Sequence, residues 1–153
     1  MDEQLVEAWR IHNRIGLYLL DGVAEEAFAV GKRKQGRGFA QMFAHIHGVR
    51  LTWLQVSAAD LWEPLPRIAR GDTLDRERLR QALTVSGAAV AALFERGVAA
   101  GKIKGFGGSV PAFLGYLIAH ESYHFGEIGV ALREAGHPLS KEIAYGMWEW
   151  TKR

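Results

Sequence analysis

Apolar side chains recur along this chain at the spacing of three and four that marks an α-helix, and no segment alternates apolar and polar as a strand would. Leu5, Trp9, Ile15, Tyr18, Leu19, Val23 and Phe28 predict a long first helix over Leu5 to Val30. Residues Gly31 to Gly38 then combine glycines with Lys32, Arg33, Lys34 and Arg37, a composition that ends a helix and favours a solvated loop. Phe39, Met42, Phe43, Ile46, Val49, Trp53 and Leu54 trace a second helix ending near Ala58. A connection carrying Pro64, Pro66 and Gly71 follows. Asp72, Thr73 and Asp75 offer capping oxygens ahead of Leu79, Leu83, Val90, Leu93 and Phe94, so a third helix is predicted over about 75 to 99. After the glycine-lysine stretch Gly101 to Gly108, Ser109 can cap a fourth helix that tolerates Pro111 in its first turn and stops at Gly136 and Pro138. The aromatic tail over 141 to 150 is expected to pack on these helices. Four such helices imply an all-α fold, an antiparallel or crossover four-helix bundle occupying residues 1–153 as one domain.

Composition narrows the chemistry. At 153 residues and 48% apolar content the chain can bury one continuous core. A formal charge of +2 gives no dominant field, and the basic stretch at 31 to 38 has neither interleaved aromatics nor a second basic stripe, so no nucleic-acid partner is expected. The absence of cysteine excludes disulfides, thiolate ligands and a cysteine nucleophile, leaving His, Asp and Glu to hold any metal. The start, Met1-Asp2-Glu3-Gln4, lacks a basic and apolar leader, and no uninterrupted apolar stretch approaches the roughly 18 residues of a membrane span. A cytoplasmic location with no membrane partner is therefore expected.

The chemistry concentrates in the fourth helix, at Ala119-His120-Glu121-Ser122-Tyr123-His124. Two imidazoles four residues apart leave one helical face at a separation suited to one ion. Leu114, Leu117 and Ile128 share the stripe of His124, which therefore points inward. The second helix offers His45 and His47, which flank Ile46 by about 100° on either side, so periodicity does not choose between them. Three neutral imidazoles leave coordination positions open for water or substrate, as in reactive rather than closed structural sites. The same residues also spell H-E-x-x-H, in which Glu121 would be the general base of a zinc peptidase. The residue three after His124 is Glu127 rather than glycine, and no strand is available to hold a peptide. Glu121 and Glu127 are also candidates to orient a ligand histidine. Trp9 and Asn13 are expected near the core or a cavity mouth, His12 at the surface, and His137 at the end of the fourth helix.

The stretches Phe39 to Leu54 and Leu114 to His124, with Gly126-Glu127-Ile128, resemble the DinB-like family of metal-binding four-helix bundles, relatives of transferases that use bacillithiol or mycothiol. The resemblance covers most of the chain. It implies a three-histidine site holding a divalent transition metal, typically zinc or nickel, and often a homodimer. His120 and His124 carry over directly. A histidine eight residues before a tryptophan matches His45 and Trp53, with His47 as the alternative. Tyr123 and Phe125 stand where relatives often show His and Arg, so a thiol- or anion-binding role for that basic residue does not carry over. The expected activity is that of a metal-dependent thiol transferase or small-molecule hydrolase, with a small-molecule substrate and a low-molecular-weight thiol among its expected partners. A non-catalytic metal-binding or stress-related bundle is the alternative.

Overall fold

Every long helix begins or ends where a spare backbone group finds a partner. The computed structural model describes residues 2–30 and 36–153. Among them the chain forms helices α1 (Asp2–Asp21), α2 (Phe39–Ser57), α3 (Ala59–Trp62), α4 (Arg76–Ala100), α5 (Val110–Glu134) and α6 (Lys141–Gly146), with 3-10 turns at Glu25–Ala29 and Trp150–Lys152 and no strand. Helix α4 starts with the Asp75 carboxylate accepting from the Arg78 N–H at 2.8 Å, and α5 with the Ser109 hydroxyl accepting from Ala112 at 3.3 Å. Gly101, at φ 71°, closes α4 in the left-handed conformation that suits glycine.

The first helix is shorter than its hydrophobic period predicts. It ends at Asp21 rather than Val30, and a 3-10 turn replaces its last stretch. Two contacts from distant segments meet the chain at the break. The Arg76 guanidinium of α4 donates to the carbonyls of Leu20 at 2.6 Å and Val23 at 2.5 Å, which takes up acceptors at the helix end. Ile143 of α6 sits where a side chain on Gly22 would have to go, 2.6 Å from an ideal Cβ. The turn keeps Val23 and Ala27 in the core. Of the predicted basic loop, residues 31–35 lie outside the described residues.

Pairings between helices give their directions. Trp9 Nε1 on α1 donates to the Gly87 carbonyl on α4, while Leu20, further along α1, meets Arg76 at the start of α4; these two helices are antiparallel. Arg50 on α2 reaches Leu83 and Ser86 on α4, and Asp60, on the short α3 that directly follows α2, pairs with Arg96 further along α4, so α2 and α4 run parallel. Trp53 packs on Phe113 and His45 on His124, which makes α2 and α5 antiparallel. The bundle is thus up, down, down, up, and the segment 58–75 is the crossover that two consecutive parallel helices require. Around the bundle, α1 and α2 each pack on both α4 and α5. The 18-residue apolar window within α4 is long enough to cross a membrane by length and composition, but 56% of it is buried inside the fold.

The core is divided. One apolar cluster gathers Leu19, Leu20, Phe43, Ile46, Leu79 and Ile128. A second gathers Trp9, Leu54, Val90, Phe94, Phe113 and Leu117. Between them lies a layer of buried polar side chains, His12, Arg50, Ser86 and Glu121. The C-terminal tail is only half packed: Met147 and Trp150 lie on the first cluster, whereas Tyr145 and Trp148 turn outward, 72% and 81% exposed.

Candidate metal centre

Helices α2 and α5 bring three histidines together. His45 projects from α2 and His120 and His124 from successive turns of α5, and each offers a ring nitrogen within 4.8 Å of the others. His120 Nε2 and His124 Nε2 are 3.2 Å apart. With metal–nitrogen bonds of about 2.0–2.1 Å, two ligands of a tetrahedral ion stand about 3.3 Å apart, so this pair is already at chelating distance. His124 Nδ1–H donates to the Glu127 carboxylate at 2.8 Å, which leaves its Nε2 lone pair facing the other two rings. Tyr116 stacks on His120 and Tyr123 meets His124 edge to face.

Two of the rings, His45 and His120, are suited to being neutral donors. Burial, then the Arg37 charge and the two neighbouring imidazoles, push His45 down to about 4. Burial and His124 likewise lower His120. Both are therefore unprotonated at neutral pH, the form that a metal requires. The residues present fit a divalent transition ion, since three nitrogen donors converge and the backing nitrogen of one is already held by a carboxylate.

Of the two candidates on α2, His45 belongs to this group and His47 does not. His47 is 1% exposed, and its Nε2–H donates to the Pro66 carbonyl at 2.8 Å, which pins the crossover segment to α2. Glu121, expected as an acid–base group, has both carboxylate oxygens occupied elsewhere. Arg50 Nε donates to Oε1 at 2.7 Å, Arg50 Nη2 to Oε2 at 2.8 Å, and His12 Nε2 lies 2.9 Å from Oε2. Burial pushes the Glu121 carboxyl up, but the Arg50 guanidinium, its hydrogen bonds and His12 outweigh that and hold it at about 2. The carboxylate that orients a histidine of the metal group is Glu127 instead.

His12 is a correction: it is 1% exposed rather than at the surface, stacked on Phe125 at 5.4 Å. Its place was legible, because Trp9, His12, Gly16 and Leu19 form one helical stripe whose members are all buried. The same signal marks Arg50, midway between the buried Ile46 and Leu54.

A cleft of about 760 Å³ opens beside His45, walled by Arg37, Gln41, Ile68, Arg70 and Asp72. It runs from the start of α2 to the end of the crossover segment, so one flank of the histidine cluster is reachable by a small molecule.

The DinB family model matches residues 1–150. The chain belongs to the DinB family. Neither the curated proteins nor the solved structures include a match. This DinB-family chain carries, across α2 and α5, a three-histidine cluster that could hold a metal.

Proposed function

We propose that this DinB-family protein is a metal-dependent enzyme, either a thiol-dependent transferase or a small-molecule hydrolase, using zinc or nickel held by His45, His120 and His124. The observation that carries this reading is the convergence of three imidazoles beside an open cleft, with no fourth ligand in the group among the described residues. An ion held there would act as a Lewis acid and lower the pKa of a thiol or water that joins it. The chain supplies the rest. Glu127 fixes the ring and tautomer of His124, Tyr116 backs His120, and the cleft admits the substrate on the His45 side. Arg37 and Arg70 on the cleft wall, where Asp72 is already paired with Arg78, favour a substrate bearing a negative charge. A peptidase reading draws no support, because Glu121 is 1% exposed, locked to Arg50, and no strand edge exists among the described residues.

The test is elemental analysis of purified protein beside His45→Ala, His120→Ala and His124→Ala. About one transition ion per chain in the wild type, lost in each variant, supports the site, and thiol-transfer and hydrolysis assays on loaded and stripped protein then address turnover. A wild type that takes up neither zinc nor nickel would end this reading.

A further inference from the structure

The buried charged layer joins one side chain from each long helix, and its centre bridges the two helices that carry the histidines. Arg50 lies five residues after His45 on α2; Glu121 follows His120 directly on α5. Their side chains meet as a fork, with two parallel N–H···O bonds of 2.7 and 2.8 Å. The third Arg50 nitrogen, Nη1, donates to Asn13 Oδ1 at 2.9 Å, the Leu83 carbonyl at 3.0 Å and Ser86 Oγ at 3.3 Å. His12 closes the carboxylate side, and the guanidinium lies 5.0 Å from the Trp9 ring. Arg50 and Glu121 are each 1% exposed.

An apolar layer at this level would tolerate sliding, because Leu and Ile repack in several arrangements at little cost. A two-bond fork does not. Displacing α5 by one helical turn, about 5.4 Å, would strand both charges in the core. The apolar clusters above and below supply adhesion without fixing the register, and the fork fixes it. We propose that Arg50 and Glu121 are positioning residues for the metal centre: their fork indexes α2 against α5 so that His45 arrives opposite His120 and His124. This rests on the reading of the histidine group as a metal site.

The experiment compares the full chain with Arg50→Met/Glu121→Leu, Arg50→Lys and Ser86→Ala. Zinc affinity is read by competition with a chromophoric chelator, and ligand geometry by the visible spectrum of the cobalt(II) form. The double variant replaces the pair by apolar groups of similar volume, a change that folds commonly tolerate. It is expected to keep its helical content and melt cooperatively while zinc affinity falls about ten- to a hundredfold, the range for residues that orient metal ligands. Its cobalt spectrum should change in intensity and shape. Ser86→Ala leaves the fork in place and should keep wild-type affinity, which separates indexing from general weakening of the layer. Wild-type affinity and an unchanged cobalt spectrum in a folded double variant would overturn the proposal. Where the double variant does not fold, Arg50→Lys decides: it keeps the charge and loses the fork, so a tenfold loss of zinc affinity supports indexing and unchanged affinity refutes it. A wild type that binds neither zinc nor cobalt removes the metal reading itself, before any variant is compared.

Discussion

Replacing Arg50 alone by methionine should be among the most destabilising single changes in this protein. The substitution leaves the Glu121 carboxylate, 1% exposed, with His12 as its only remaining charged or polar side-chain partner among those that now hold it. Removing one member of a buried ion pair costs about 3–5 kcal/mol. The direction of the Glu121 shift agrees: burial alone pushes the carboxyl up, and the Arg50 charge leads the contacts that pull it down to about 2. For a chain of this size, such a loss lowers the melting temperature by about 6–20 °C. The pH dependence identifies the cause. A depressed carboxyl contributes stability that is fully present above its unfolded value of 4.5 and is lost as pH falls toward 2. In Arg50→Met burial holds the stranded carboxyl above 4.5, so that variant regains stability as pH falls from that raised value to 4.5, above the range in which the wild type loses it. The gap between the two proteins should therefore narrow between pH 7 and pH 4. Urea unfolding followed by circular dichroism at both pH values measures it. A loss under 1 kcal/mol at pH 7, or a gap that stays constant down to pH 4, would refute the reasoning.

The two histidines of α2 should separate cleanly. His45→Ala is expected to abolish metal uptake with little effect on the melting temperature of the stripped protein, whereas His47→Ala should retain about one ion per chain yet lose roughly 1–3 kcal/mol through the unpaired Pro66 carbonyl; elemental analysis and thermal melts of both variants check this. Glu127→Gln weakens the carboxylate hydrogen bond to His124 Nδ1 and should reduce zinc affinity by about tenfold or more in a chelator competition, with folding unchanged. Asp75→Ala removes the cap at the start of α4 and should cost about 1 kcal/mol in chemical denaturation, with no change in metal content.

Much of this was legible in the chain, and the failures have physical causes. The starts of α2, α4 and α5 follow from Phe39, Asp75 and Ser109 because caps and period act locally. The end of α1 was not legible, since the contacts that meet it there come from Arg76 and Ile143, which reach Leu20 and Gly22 from distant parts of the chain. The histidine pair on α5 reads directly from its spacing, but the choice between His45 and His47 turns on a few tens of degrees of helix rotation, which only packing decides. Glu121 illustrates the opposite difficulty. The H-E-x-x-H string suggests a reactive carboxylate, yet the partner that neutralises it, Arg50, is 71 residues away along the chain, and nothing local pairs the two. A charged residue at the centre of an apolar stripe is the signal that both share, and in such a stripe the first question is which opposite charge faces it.

The up, down, down, up course of the bundle has a consequence for how an ion and the fold would depend on each other. It sets α2 beside α5 in space while leaving them far apart in sequence, 75 residues from His45 to His120. The two histidines of α5 come together within one helical turn, but the third ligand can join only after that long loop has closed. An ion bound by all three is a removable cross-link. By the same chain-entropy argument that applies to a covalent bridge, tying ends about 75 residues apart restricts the unfolded ensemble by about 4 kcal/mol. Metal supply in the surroundings would then set not only whether the site can work but also how long the chain survives between unfolding events.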